Sequence, residues 1–208
     1  MKEFLKRYSY SSVKLFLNQF AISLLGAALA LATAKNDMLL LTTSIFAIAF
    51  YLFLVYTTIW AVGAKDRISI DVQKLKYKPL TGLYIGFLAN SLNFIIAIFM
   101  IIGLTKGLTN ETAGNIGGVG RLISLFTEGM YIGLTGLIKI GGKEIYNFWL
   151  TYFLMTVPAL LVSTIAYIFG HHDIRFTNLM IDKNPEEAHK KSRFFDGNFS
   201  NRNDKDKK

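Results

Sequence analysis

Residues 79–105 read PLTGLYIGFLANSLNFIIAIFMIIGLT, and no Asp, Glu, Lys, Arg or His interrupts them. A helix rises 1.5 Å per residue, so a stretch this long covers about 40 Å, more than the roughly 30 Å of a bilayer's hydrocarbon layer. Three further tracts share the property: Leu15–Ala34, Met38–Ala64 and Ile145–Gly170. Only 18% of the chain is charged, against 52% hydrophobic, and the charges are crowded into the gaps between these tracts. A water-soluble chain would have to bury four all-round apolar helices in one small core. The sequence therefore predicts an all-α integral membrane protein with four transmembrane helices at about 15–34, 38–62, 80–104 and 148–170, in a membrane domain of residues 1–170.

The basic residues set an orientation. With four spans, the N-terminal segment, the loop 65–78 and the tail 171–208 share one side. That side carries eighteen of the 23 Lys and Arg residues. Basic flanks stay in the cytoplasm. Both termini are thus expected inside, in the plasma (cell) membrane, with a tight turn at 35–37 and a long loop at 106–144 outside. A basic start, an apolar run and Ala32–Ala34 also fit a cleaved signal peptide. The second apolar tract follows so closely that an uncleaved helical hairpin is the preferred reading.

Within the outer loop, VGRLISLFTEGMYIGLTGLIKI (119–140) places Arg121, Ser124, Glu128, Tyr131, Thr135 and Lys139 three or four residues apart. That is one polar stripe on an apolar helix. A fifth span would carry the basic tail outside. An amphipathic helix in the outer interface is expected instead, or else a re-entrant segment. The glycine-rich run GNIGGVGR at 114–121 lacks the Lys–Ser/Thr of a phosphate-binding loop and reads as a flexible turn before that helix.

In lipid, helices associate where small residues let backbones approach. Gly26, Ala30 and Ala34 in the first span, Gly82 and Gly86 in the third, and Ala159 and Ser163 in the fourth form such stripes. Asn90 and Asn93 fall on one face near the middle of the third span. An amide facing hydrocarbon would strand its donors and acceptors. The pair must either hydrogen-bond between helices or line a polar path. Asn18 and Gln19 carry the same two readings near the inner end of the first span. Thr156 and Pro158 mark a kink in the fourth.

No ionisable group falls inside the four expected spans. This argues against proton-coupled transport and intramembrane acid–base catalysis, and no enzyme is expected. With no cysteine, thiol chemistry and Cys-type metal sites are excluded. His171, His172 and Asp173 read as a polar collar, so neither metal nor cofactor is expected. Lys74, Lys76 and Lys78 sit where anionic lipid headgroups would meet them. Nucleic acid is not an expected partner, because the net charge of +9 is mostly topology signal. The cytoplasmic tail should form a short helix over 185–195, capped by Asn184 and Pro185, and then a disordered end.

These features favour a non-enzymatic accessory or assembly component, acting through helix–helix contacts with another membrane protein or with itself. The alternative is a small transporter or channel subunit with a polar path near Asn90 and Asn93.

Overall fold

The computed structural model describes residues 2–174, and the expected tail helix over 185–195 with its disordered end lies outside them. Helix α1 runs over Lys2–Thr33. It starts well before residue 15 because nothing in the basic N-terminal segment breaks a helix. Tyr8, Ser12, Leu15, Gln19, Ser23 and Ala30 make one buried stripe along it. Ala34 lies beyond the helix, exposed in the turn at 34–36, and so takes no part in the expected seam.

Asn36 ends that turn and starts α2 (Asp37–Asp71): its side chain accepts from the amides of Met38 at 3.0 Å and Leu39 at 3.1 Å. Two otherwise orphaned donors of the first turn are satisfied this way. The helix then continues past residue 62 into what the charges suggested was loop. Its buried stripe, Ser44, Ala47, Tyr51, Val55, Ile59, Gly63 and Asp66, keeps helical spacing to the end. The true loop is therefore only 72–80. Its second residue, Gln73, is in a left-handed conformation at φ 56°.

The third apolar tract forms two helices, α3 (Thr81–Ala89) and α4 (Ser91–Lys106), bent by 56° at Asn90. Helix α5 (Glu111–Thr127) follows, capped by Asn110, and folds back along α4. The glycines of 114–121 lie inside α5 and not in a turn. A Cβ on Gly117 would meet the Gly103 Cα at 2.6 Å, and one on Gly120 would meet the Phe99 side chain at 2.9 Å. The glycine run is explained by this close helix crossing.

The expected single helix over 119–140 is interrupted. After α5 come a 3-10 turn (Gly129–Tyr131) and a short helix α6 (Ile132–Leu137) that packs on α2. A two-stranded hairpin, β1 (Lys139–Ile140) and β2 (Lys143–Glu144), turns through Gly141 and Gly142 at φ 59° and 81°. The last tract holds α7 (Trp149–Leu154) and α8 (Val157–His171), separated at Met155 and Thr156 with Pro158 in the first turn of α8.

Helix α2 is central, packed on both α1 and α8, while α3 packs on α8 and α4 on α5 and α7. Gly63 and Gly170 let α2 and α8 touch backbone to backbone. Gly82 and Gly86 stand against Ser163, and Ala159 and Ser163 are fully buried in that contact. The outward faces are apolar: Leu17, Leu31, Phe46, Phe53, Ile98 and Leu161 are all exposed.

Candidate functional site

Three interruptions of helical backbone face the molecule's interior, and each is satisfied differently. At the first, Asn90 donates its side-chain amide to the Gly86 carbonyl at 2.9 Å, and Asn93 donates to the Asn90 side-chain oxygen at 3.1 Å. Both amides are buried, and the Asn93 oxygen has no partner among the described residues. The pair thus braces the bend within its own chain segment.

The second interruption falls at Glu128. Because α5 stops there, the Tyr131 amide turns to the Glu128 carbonyl at 2.9 Å, and the Thr127 carbonyl loses its helical partner. A buried carbonyl without a partner is costly. Two side chains of α1 supply donors: the Gln19 amide at 2.9 Å and the Ser23 hydroxyl at 2.7 Å. The tip of the α5–α6 hairpin seats on α1 through glycine. A Cβ on Gly26 would come within 2.5 Å of the Met130 Cα, and one on Gly129 within 2.5 Å of the Ser23 carbonyl oxygen. Further along, the Gly133 amide donates to the Ser44 hydroxyl at 3.1 Å. Gly26 therefore belongs to a helix face that receives the hairpin, and Ala30, one turn on, is buried. At the third interruption, the Met155 carbonyl accepts the Tyr131 hydroxyl at 3.0 Å, tying the hairpin tip to the α7–α8 junction.

Between these elements lies a cavity of about 330 Å³. Arg121, Ser124, Glu128, Tyr131 and Thr135 line one side of it, and Tyr146, Tyr152 and Met155 another. Five residues of the polar stripe read from the sequence thus share one cavity wall, although the helix that would carry them is broken. Lys139, the sixth, lies in the β-hairpin.

Glu128 is 4% exposed, and among the described residues neither of its carboxylate oxygens has a hydrogen-bond partner. Arg121 lines the same cavity but is directed elsewhere: its guanidinium lies 5.1 Å from the Tyr146 ring centre and reaches Asn147 at 3.5 Å. The tyrosine hydroxyls nearby are engaged, Tyr131 with Met155 and Tyr152 with the Tyr146 carbonyl at 3.2 Å. What remains is one carboxyl group with unfilled acceptor positions beside a cavity. It can hold a proton or a small cation. Asn90 and Asn93 do not line this cavity.

A second buried carboxylate is arranged in the opposite way. Asp66 is 2% exposed and fully engaged. Arg7 donates to one oxygen at 2.7 and 3.2 Å, and the hydroxyls of Tyr8 and Tyr167 donate to the other at 2.6 and 3.0 Å. The cluster clamps α1, α2 and α8 together. Charge counting assigned Asp66 to a loop; the signal that finds it is its place on the apolar stripe of α2.

Lys74, Lys76 and Lys78 stand together with Lys6 and Arg7 around a separate cavity between the start of α1 and the loop 72–80. Among the described residues, no three His, Asp or Glu side chains gather as a metal-binding group would.

Together, fold and site define a largely helical bundle in which three helical stretches are long and apolar enough to cross a membrane, or four if the bent α3–α4 pair is counted as one span. The chain matches no protein-family model, and no curated protein or solved structure shows significant similarity to it.

Proposed function

We propose that this is a small transporter or channel subunit of the plasma membrane that moves protons or monovalent cations, with Glu128 as the binding group. Four apolar tracts cross the bilayer, and the termini and the Asp66 end face the cytoplasm. The α5–α6 hairpin enters from outside as a re-entrant segment and brings Glu128 about as deep as Gln19 and Tyr51. The exposed leucines and phenylalanines support the membrane setting, since soluble monomers rarely expose contiguous apolar patches beyond a few hundred Å².

The observation that carries the reading is the Glu128 carboxyl, buried and unpaired beside a cavity. Ionisable groups at membrane depth are expensive and mark ion pathways. Transport sites are commonly built where helices are broken, because unwound backbone is tolerated only where it lines a protein cavity. A bundle that served only to pack would gain nothing from an unpaired buried carboxyl. One carboxylate neutralises one positive charge, which suits a proton or a monovalent ion. Divalent ions demand more oxygen ligands and more charge. Among the described residues lining the cavity there is no second carboxyl group and no imidazole, and the polar groups beside Glu128 are Arg121 and the Ser, Thr and Tyr hydroxyls; we read the protein as non-enzymatic, with no cofactor. Asn90 and Asn93 act by holding the bend.

The test is flux in liposomes reconstituted with purified protein. Wild-type vesicles should pass protons or a monovalent cation down an imposed gradient, and Glu128→Gln should abolish the flux without lowering thermal stability. Wild-type vesicles no leakier than protein-free ones, across a panel of monovalent ions, contradict the proposal.

A second reading, an accessory or assembly component, draws support from the outward aromatic ridge of α2, where Phe46 and Phe50 stack with ring centres 6.2 Å apart. That ridge would meet another membrane protein or a second copy. Crosslinking from a residue beside Phe50 in native membranes should then trap one specific partner, and recovery of monomer alone counts against it.

A further inference from the structure

The first two turns of α1 and the loop 72–80 enclose a cavity of about 510 Å³ at the Asp66 end of the bundle. Its wall is basic. Lys6 and Arg7 come from α1, and Lys74, Lys76 and Lys78 from the loop, with Glu3 the one acid among its lining residues. Arg7 is committed to Asp66. The four lysines make no ion pair among the described residues.

The lysines are presented on fixed backbone. The Lys74 amide donates to the Ser69 carbonyl at 2.9 Å, and the Thr81 hydroxyl to the Lys78 carbonyl at 2.8 Å. Tyr77, between Lys76 and Lys78, stacks on His171 with ring centres 4.0 Å apart, which pins the loop to the end of α8. Four like charges held around one cleft repel each other until an anion joins them. Phe4 and Leu75 supply an apolar side to the cleft, and Leu80 and Tyr84, both exposed, continue that apolar surface towards α3.

We propose that this cleft binds an anionic phospholipid of the cytoplasmic leaflet. Its phosphate sits among Lys6, Lys74, Lys76 and Lys78, and its acyl end lies over Phe4 and Leu75. The combination of clustered cations and an adjoining apolar wall fits a lipid better than a soluble phosphate. Because Arg7 joins the cleft to Asp66, occupancy also braces the clamp between α1, α2 and α8. The inference rests on the membrane orientation proposed above and is independent of Glu128.

The test compares thermal unfolding of the purified protein in nanodiscs of phosphatidylcholine alone and of phosphatidylcholine with phosphatidylglycerol. The anionic lipid should raise the melting temperature of wild type. Each Lys→Gln change at 6, 74, 76 or 78 should weaken lipid binding by about fivefold, from about 1 kcal/mol per basic residue near an anionic surface. The exposed lysines can be changed without disturbing the core. The single change Lys139→Gln, in the β-hairpin, removes the same charge elsewhere and should leave the shift intact. Equal melting in both lipid mixtures overturns the proposal. So does an equal loss in the β-hairpin control, which would show that only net charge matters. Stabilisation of the same size by inorganic phosphate in phosphatidylcholine discs also overturns it, in favour of a soluble anion. Loss of flux in Glu128→Gln with the lipid effect unchanged would leave this site standing.

Discussion

Gln19 of α1 donates its side-chain amide to the carbonyl of Thr127, 108 residues away, at 2.9 Å, directly before the buried Glu128. This contact and the Ser23 hydroxyl satisfy the carbonyl that α5 frees by stopping. Replacing Gln19 by Leu should therefore destabilise the fold by about 0.5–1.5 kcal/mol, the net contribution of one hydrogen bond, because Ser23 still satisfies the carbonyl. Adding Ser23→Ala should cost more than either change alone suggests, since the second donor covers for the first. Chemical or thermal unfolding in detergent reads both effects, and a Gln19→Leu protein as stable as wild type would show that the contact does not hold the hairpin.

Gly26 leaves no room for a side chain against Met130. Gly26→Leu should push the hairpin tip off α1 at a cost of about 1–3 kcal/mol or more. Gly118, where a Cβ meets nothing within 4 Å, supplies the contrast, and Gly118→Ala should be neutral or mildly stabilising. Paired melting curves check this. Equal losses at the two positions would contradict the seating of the hairpin on α1.

Asp66 takes four hydrogen bonds from three side chains. Tyr167→Phe removes one and should cost about 1.5–3 kcal/mol, as expected for a hydrogen bond to a charged group. Asp66→Ala should cost more, because it leaves two buried tyrosine hydroxyls and a guanidinium without their acceptor. A double-mutant cycle between Tyr8→Phe and Tyr167→Phe should show coupling, since both donate to the same oxygen. Additivity would mean the cluster does not act as a unit.

The chain contains no cysteine, so single-cysteine variants report position cleanly. In intact cells, cysteines at Lys35 and at Gly142 should react with an impermeant maleimide. One at Lys76 should react only after the membrane is opened. Labelling of Lys76→Cys from outside would reverse the proposed orientation.

Helix positions were legible in the sequence, because charge-free length is a local property that residues 15–34 or 148–170 declare by themselves. The polar stripe from Arg121 to Thr135 was legible for the same reason. The break at Glu128 was not, since a helix stops there only because Gln19 and Ser23, distant in sequence, accept the consequence. Asn90 stood out as a polar residue within apolar sequence, but its role in a bend depends on a hydrogen bond back to Gly86. Asp66 was hidden by the habit of assigning charges to loops. Its partners Arg7, Tyr8 and Tyr167 come from two other helices, and only the continued stripe of α2 points to it.

The most direct test of the central claim is chemical. An apolar carbodiimide adds to a protonated carboxyl group that it can reach through a nonpolar environment. In purified protein, Glu128 should take up one such adduct, identified by mass spectrometry of its peptide, while the fully bonded Asp66 stays unmodified. The transported cation, supplied in excess, should slow the reaction. An unreactive Glu128, or a reaction rate indifferent to every monovalent cation and to pH, would contradict the account.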